Sequence, residues 1–222
     1  MDFLSRFFDI PHTGGKGICR LSALELDEET VRTVQVRCPG AARVIVVLFP
    51  YLVRDAGNVS LYARGLDYHA VIMRALEPVC ARLRQEFSQN RFVPLVDASP
   101  LPEVRAAWVS GAGILGQNGL IFDRTYGSFV FIGTVLTDLE LPPTPSAREI
   151  CPGCGACTRA CPAQALQHGC VDEASCLSAL TQSKQPMTEE QLRQLAHHPL
   201  VWGCDICSLA CPLNRDAAET TD

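Results

Sequence analysis

Cys151-Pro-Gly-Cys154-Gly-Ala-Cys157-Thr-Arg-Ala-Cys161-Pro162 is the stretch on which the reading of the whole chain turns. Thiols separated by two, two and three residues, with Pro closing the run, suit a short loop wrapped around a cube of iron and sulfide. Gly153, Gly155 and Ala156 let backbone amides approach the sulfurs, and Pro162 redirects the chain. A second run, Cys204-Asp-Ile-Cys207-Ser-Leu-Ala-Cys211-Pro212, supplies three thiols and needs a fourth from elsewhere. Cys170 and Cys176 are both available for that place.

The first run has the spacing of bacterial two-cluster ferredoxins, in which the fourth Cys ligates the other cluster. By that crossover, Cys151, Cys154, Cys157 and Cys211 bind one 4Fe-4S cluster, while Cys161, Cys204, Cys207 and one remote Cys bind the second. Structural zinc is the competing reading, because C-x-x-C pairs also serve zinc. Zinc ribbons do not require so many fixed positions at once. His168, His197 and His198 lack matching spacing and are expected at the surface. Two such clusters imply electron transfer, at potentials near roughly -400 mV for ferredoxin-type centres.

Composition frames these runs. The chain has 222 residues and 12 Cys, of which Cys19, Cys38 and Cys80 alone precede residue 151. Cys80 is expected as a buried small hydrophobe, Cys38 before a turn, and Cys19 in a Gly-rich entry segment. The net charge of -5 gives no basic surface of the kind that displaces counterions from nucleic acid. Apolar runs such as Val44 to Phe49 are strand-sized, so no membrane span is expected. The N-terminus lacks the features of an export signal, which points to the cytoplasm and to metal-bound rather than disulfide-bonded Cys.

Two units are expected, residues 1–142 and 150–214, joined by the Pro-rich segment Leu141 to Glu149 and followed by a tail at 215–222. In the first, Ala42 to Pro50, Arg91 to Val96 and Gly127 to Leu136 read as strands. Asp67 to Phe87 reads as a helix bent or interrupted at Pro78, and Pro102 to Val109 as a second helix. Strands alternating with helices suggest α/β or α+β layers. The fold class expected is α+β, an α/β-layered domain followed by a two-cluster ferredoxin-like domain.

A family resemblance rests on particular stretches. Cys176-Leu-Ser178-Ala-Leu-Thr181-Gln182-Ser-Lys184, Trp202-Gly203-Cys204-Asp205-Ile-Cys207 and Cys211-Pro-Leu-Asn214 resemble the double-cluster domain of epoxyqueuosine reductases. So, in that family's order, do Tyr62-Ala-Arg64-Gly65-Leu-Asp67-Tyr68-His69, Val96-Asp97-Ala-Ser-Pro100, Gly127-Ser128 to Gly133 and Leu136-Thr137-Asp138. These are cobalamin-dependent iron-sulfur enzymes of tRNA modification, related in architecture to reductive dehalogenases. The resemblance implies a nitroreductase-like first domain, selects Cys176 over Cys170 as the remote ligand, and implies a base-off corrinoid between the units. It implies Asp97 as the proton-donating acid. It places Asp67, Tyr68, His69, Asp97, Ile121, Ile132, Ser178, Gln182, Lys184 and Gly203 around the corrinoid. It further implies a flavodoxin- or ferredoxin-type electron donor and tRNA as partner.

The chain departs from the family pattern in places. Glu103-Val104-Arg105 stands where the family has Glu-Arg, and Gly116-Gln117-Asn118 where it has Gly-Lys-Asn. The sequence ends eleven residues after Cys211, which reads as a short form lacking the helical repeats that help to hold tRNA. Two alternatives accompany the reductase reading: a two-cluster protein that only carries electrons, and a reductase of a different small substrate.

Overall fold

The computed structural model describes residues 2–167 and 169–220. His168, expected at the surface, lies outside them, as do the last two residues of the expected tail. The first part of the chain contains helices α1 (Phe3–Phe7), α2 (Glu28–Arg37), α3 (Tyr68–Glu86) and α4 (Glu103–Val109). Its strands are β1 (Lys16–Arg20), β2 (Arg43–Pro50), β3 (Phe92–Val96), β4 (Ile114–Leu115), β5 (Ile121–Phe122) and β6 (Val130–Thr137). A four-stranded sheet runs in the order β1-β2-β6-β3, antiparallel at every pairing. Of the two classes left open by the sequence, the antiparallel ladder makes this α+β.

The uninterrupted apolar run of β2 follows from its position, since both of its faces are covered. Val44, Val46 and Leu48 pack with Ala106 and Ala107 of α4 and with Leu136. Ile45, Val47 and Phe49 pack with Ile72, Leu76, Val79 and Leu83 of α3. Each such aliphatic side chain, fully buried, is worth about 1.5–3 kcal/mol. Cys19, Cys38 and Cys80 are buried in these cores, and burial pushes the Cys19 and Cys80 thiols up to about 12.

Three sequence expectations are corrected. Helix α3 is not interrupted at Pro78, which is exposed, so the carbonyl left without its amide partner faces water. Strand β6 begins at Val130 rather than Gly127, because Gly127 and Asp123 exchange backbone hydrogen bonds of 2.8 and 3.0 Å in a tight turn. His198 is not a free surface residue: its Nε2 lies 2.9 Å from the Gly203 carbonyl oxygen, half-buried. His197 is exposed, as expected.

The Cys-rich part forms α5 (Ala156–Ala160), a hairpin of β7 (Leu166–Gln167) and β8 (Cys170–Val171), then α6 (Leu177–Gln182), α7 (Glu189–Ala196) and α8 (Ile206–Leu209). A capping box of Thr188 and Gln191 starts α7. This part is laced to the first at several points. Backbone bridges join Leu115 to Ile150 and Val59 to Trp202. The buried Asp205 carboxylate accepts from the Ser60 hydroxyl and, at 2.9 Å, from Leu61 N–H. Asn214 Oδ1 accepts from Ser128 N–H at 2.8 Å, and its Nδ2 donates to Ser128 Oγ at 2.8 Å. Beyond it, Ala218 N–H donates to Thr125 O and Thr220 N–H to Leu52 O. Among the described residues no helix is long and apolar enough to cross a membrane.

Candidate functional site

The structure gathers the eight candidate thiols into two groups. Cys151, Cys154, Cys157 and Cys211 line one cavity of about 90 Å³, walled also by Gln117, Asn118 and Phe122. In the other group, Cys161 and Cys176 act electrostatically on Cys204, and Cys204 and Cys176 on Cys207. Cys170 is exposed on β8. Among the described residues, no three Cys, His, Asp or Glu side chains converge on a point that would hold a single ion. Zinc draws its sulfurs to about 2.3 Å. Thiols ringed around a space are arranged for a larger group, and the donor set fits a cubane.

The local backbone explains this arrangement. Gly153 and Gly155 take φ values of 68° and 70°, a left-handed conformation that folds the loop back and starts α5. Amides then point at sulfur: Gln117 N–H donates to Cys151 Sγ at 3.2 Å and Ala165 N–H to Cys161 Sγ at 3.4 Å. The backbone amides of Ile206 and Leu213 do the same for Cys204 and Cys211. Burial raises the Cys204, Cys211 and Cys207 thiols, the last to about 11, while directed N–H groups at Cys204 and Cys211 favour the thiolate form that iron requires.

A second cluster of side chains forms where β3 returns to the start of α3. Asp67 caps α3 by accepting from His69 N–H at 3.0 Å. Asp97 follows β3 with φ 52°, a left-handed backbone uncommon outside glycine, and its carbonyl accepts from Ser99 N–H. Its Oδ2 accepts from the Tyr68 hydroxyl at 2.8 Å and lies 3.1 Å from His69 Nε2. His69 Nδ1 lies 2.7 Å from Asp67 Oδ1, so the imidazole bridges two carboxylates. The Tyr68 ring is held between His69 and Phe131, with centroids 4.0 and 4.1 Å away.

These contacts set the proton chemistry. The bond to Asp67, helped by Asp97, raises the His69 pKa above its ordinary value. Burial, then the bond to Asp97, holds the Tyr68 phenol well above its usual range. Glu103, in the first turn of α4, has a buried Oε1 without a hydrogen-bond partner. Burial pushes its carboxyl up to about 8, and the charge of Asp97 adds to the effect. A buried acid thus sits beside a carboxylate held by two donors, and that carboxylate and the imidazole bonded to it are both exposed.

The remaining expected residues are distributed differently. Tyr68 lines an apolar cavity of about 510 Å³ with Tyr51, Tyr62, Leu66, Ile72 and Phe131. The Tyr62 hydroxyl is buried without a well-formed hydrogen bond. Gly203, at φ 74°, packs against Tyr62 and Ser60; a Cβ there would lie 2.4 Å from Ser60 Cβ. Its N–H donates to Thr181 Oγ1 at 2.8 Å, which ties it to α6. On that helix Gln182 Nε2 donates to the Ser178 carbonyl and hydroxyl oxygens at 2.9 and 3.1 Å, and Lys184 is exposed beyond its end. Ile121 is 3% exposed in the core of the first part, and Ile132 packs against the same core. Neither lines the apolar cavity. Glu103, Asn118, Tyr62 and Asp205 stand in stretches compared with the family pattern but are not marked out as site residues by the sequence, because their roles come from burial against distant groups.

Comparison with known proteins agrees with the geometry. Residues 150–214 match the family model described as a 4Fe-4S double cluster binding domain, and residues 32–98 match the one described as epoxyqueuosine reductase QueG. The epoxyqueuosine reductase of Escherichia coli (strain K12) is 36% identical over 196 residues, 83% of this chain and 52% of that protein. The chain belongs to the epoxyqueuosine reductase family. It spans about half the length of the curated relatives it matches. Among solved structures, the epoxyqueuosine reductase from Streptococcus thermophilus superposes with a TM-score of 0.82 at 24% identity, over 95% of this chain and 65% of that one. An epoxyqueuosine reductase solved with a tRNA-Tyr epoxyqueuosine-modified stem loop gives 0.75 at 23% identity, over 93% and 64%. At those identities the two structures establish the epoxyqueuosine reductase fold and nothing finer.

Proposed function

We propose that the chain is the reductase core of an epoxyqueuosine reductase, reducing epoxyqueuosine in tRNA to queuosine with Asp97 as the proton donor. The observation that carries this reading is the Asp97 carboxylate, held by Tyr68 and His69 on a strained backbone at the end of β3. The residues fit two 4Fe-4S clusters at Cys151, Cys154, Cys157, Cys211 and at Cys161, Cys176, Cys204, Cys207. We place the corrinoid that the family resemblance implies beside Asp97, Tyr68 and Tyr62 and near Gly203, Ser178, Gln182 and Lys184; of these, Tyr68 and Tyr62 line the apolar cavity of about 510 Å³. When bound, the clusters supply single electrons and the corrinoid a strongly reducing metal centre. A nitroreductase-like arrangement of the first part, with layers of helix on the sheet, accompanies this reading, as do the domain limits 1–142 and 150–214.

Removing the oxygen of an epoxide to leave an alkene and water consumes two electrons and two protons. Asp97 delivers a proton to the departing oxygen, and its Oδ2 contacts hold it in place during delivery. His69, bonded to Asp97 through Nε2 and to Asp67 through Nδ1, passes a proton from solvent to restore the acid. The electrons come from a donor of flavodoxin or ferredoxin type.

The test is anaerobic turnover of an epoxyqueuosine-containing tRNA stem loop with reconstituted clusters, cobalamin and a low-potential reductant, read by mass spectrometry of the nucleoside. Conversion that depends on both cobalamin and Asp97 is expected. Conversion without a corrinoid, or full activity in Asp97→Asn, overturns the proposal. Protein that holds both clusters but converts nothing under any condition is an electron carrier.

A further inference from the structure

The short hairpin β4–β5 belongs to the first part of the chain, yet Gln117 and Asn118 at its tip wall the cavity of the first group of thiols, and Asn118 also reaches the second. Strand β4 is anchored to the segment entering the first Cys loop: Leu115 N–H donates to Glu149 O at 3.0 Å, and Cys151 N–H donates to Leu115 O at 2.9 Å. The tip is closed by Gly116 N–H donating to Leu120 O at 2.8 Å. Gln117 there gives its backbone N–H to Cys151 Sγ at 3.2 Å.

Asn118, the next residue, is 5% exposed. Its Oδ1 accepts from Leu120 N–H within the tip, which turns the other end of the amide outward. That Nδ2 is buried with no partner of standard geometry, and the group it reaches toward is the Cys207 thiol. Ser208 also contacts Cys207 through its side chain. Two adjacent residues on one tip therefore address a sulfur of each group, Gln117 through its backbone and Asn118 through its side chain.

We infer that the β4–β5 tip is a redox-tuning element: Asn118 donates a hydrogen bond to the Cys207 sulfur of the second cluster and raises that cluster's reduction potential relative to the first. The inference rests on the two-cluster assignment proposed above. N–H···S contacts withdraw electron density from a thiolate and stabilise the reduced cluster, so losing one makes that cluster harder to reduce. Asn118 is a positioning residue here, since it touches a ligand sulfur and no substrate.

The test is a redox titration, followed by electron paramagnetic resonance, of anaerobically reconstituted wild type, Asn118→Asp and Asn118→Leu. Asn118→Asp keeps the acceptor that closes the tip and removes the donor; Asn118→Leu removes the donor without adding charge. In both, one cluster should shift to lower potential, its reduced-to-oxidised ratio falling about tenfold at the wild-type midpoint, equivalent to about 59 mV for one electron. The other cluster, whose cavity Asn118 also walls, should shift less, with iron and sulfide content equal to wild type. Unchanged potentials in both variants, or equal shifts in both clusters, overturn the inference while leaving the two-cluster assignment intact. A wild type that assembles fewer than two clusters overturns the assignment itself.

Discussion

Replacing Glu103 by Gln should stabilise the fold at alkaline pH and do little under acid conditions. Glu103 is a buried carboxyl whose Oε1 has no partner, and burial beside Asp97 lifts its pKa from 4.5 to about 8. A carboxyl whose folded pKa lies above its unfolded value contributes stability that is complete below 4.5 and lost as pH rises through about 8. At about 1.4 kcal/mol per pH unit, that interval is worth on the order of 5 kcal/mol. For a chain of this size it corresponds to about 10–20 °C in Tm. Gln keeps the shape and cannot ionise, so the variant's advantage should grow between pH 5 and 8 and level off above. The assay is thermal unfolding of anaerobic wild type and Glu103→Gln at one scan rate across pH 5 to 9. In an Asp97→Asn background the effect should shrink without vanishing, because burial outweighs the Asp97 charge. A difference that stays flat from pH 5 to 9 would refute the account of Glu103 as a buried acid.

Other expectations follow from the same geometry. Asp97→Asn should cut turnover by about 10²–10⁴-fold, the usual worth of a positioned proton donor, with iron content unchanged; loss of iron in parallel would assign Asp97 a structural role instead. The rate should fall on the alkaline side as pH passes the raised pKa of His69, and His69→Gln should be slower and lack that limb; persistence of the limb would remove His69 from proton delivery. Asp205→Ala leaves the Ser60 hydroxyl and Leu61 N–H without their buried acceptor, costing about 1–3 kcal/mol for each group left unpaired. A urea midpoint equal to wild type would show that the two parts do not depend on this clasp.

The sequence makes the fold legible where a segment's own pattern reports its surroundings. Strand β2 reads as a buried strand because both faces are covered, and α3 reads as a helix because Ile72, Leu76, Val79 and Leu83 recur on one face. Helix α2 is missed because Val34 is its one buried side chain, which leaves no apolar stripe to read. The β4–β5 hairpin escapes because two-residue strands carry no periodicity. The thiols announce themselves because cluster ligation fixes spacing along the chain. Asp97, Tyr68 and His69 meet through the return of β3 alongside α3, a contact nearly thirty residues apart in sequence that only the family resemblance brings forward. Glu103 and Asn118 owe their importance to burial against distant groups, for which no local signal exists.

The clasp at Asn214 has a dynamic consequence. This residue stands one short helical turn beyond Cys211 and is fixed into the Gly127–Ser128 turn by bonds of 2.8 Å. The last thiol of the chain therefore cannot drift relative to the sheet without breaking a buried amide contact. On the proposed assignment of Cys211 as a cluster ligand, such a mounting limits how far that ligand moves as charge comes and goes. Loosening it, for example with Asn214→Ala, would slow electron passage by a softer mechanical link, with every sulfur still in place.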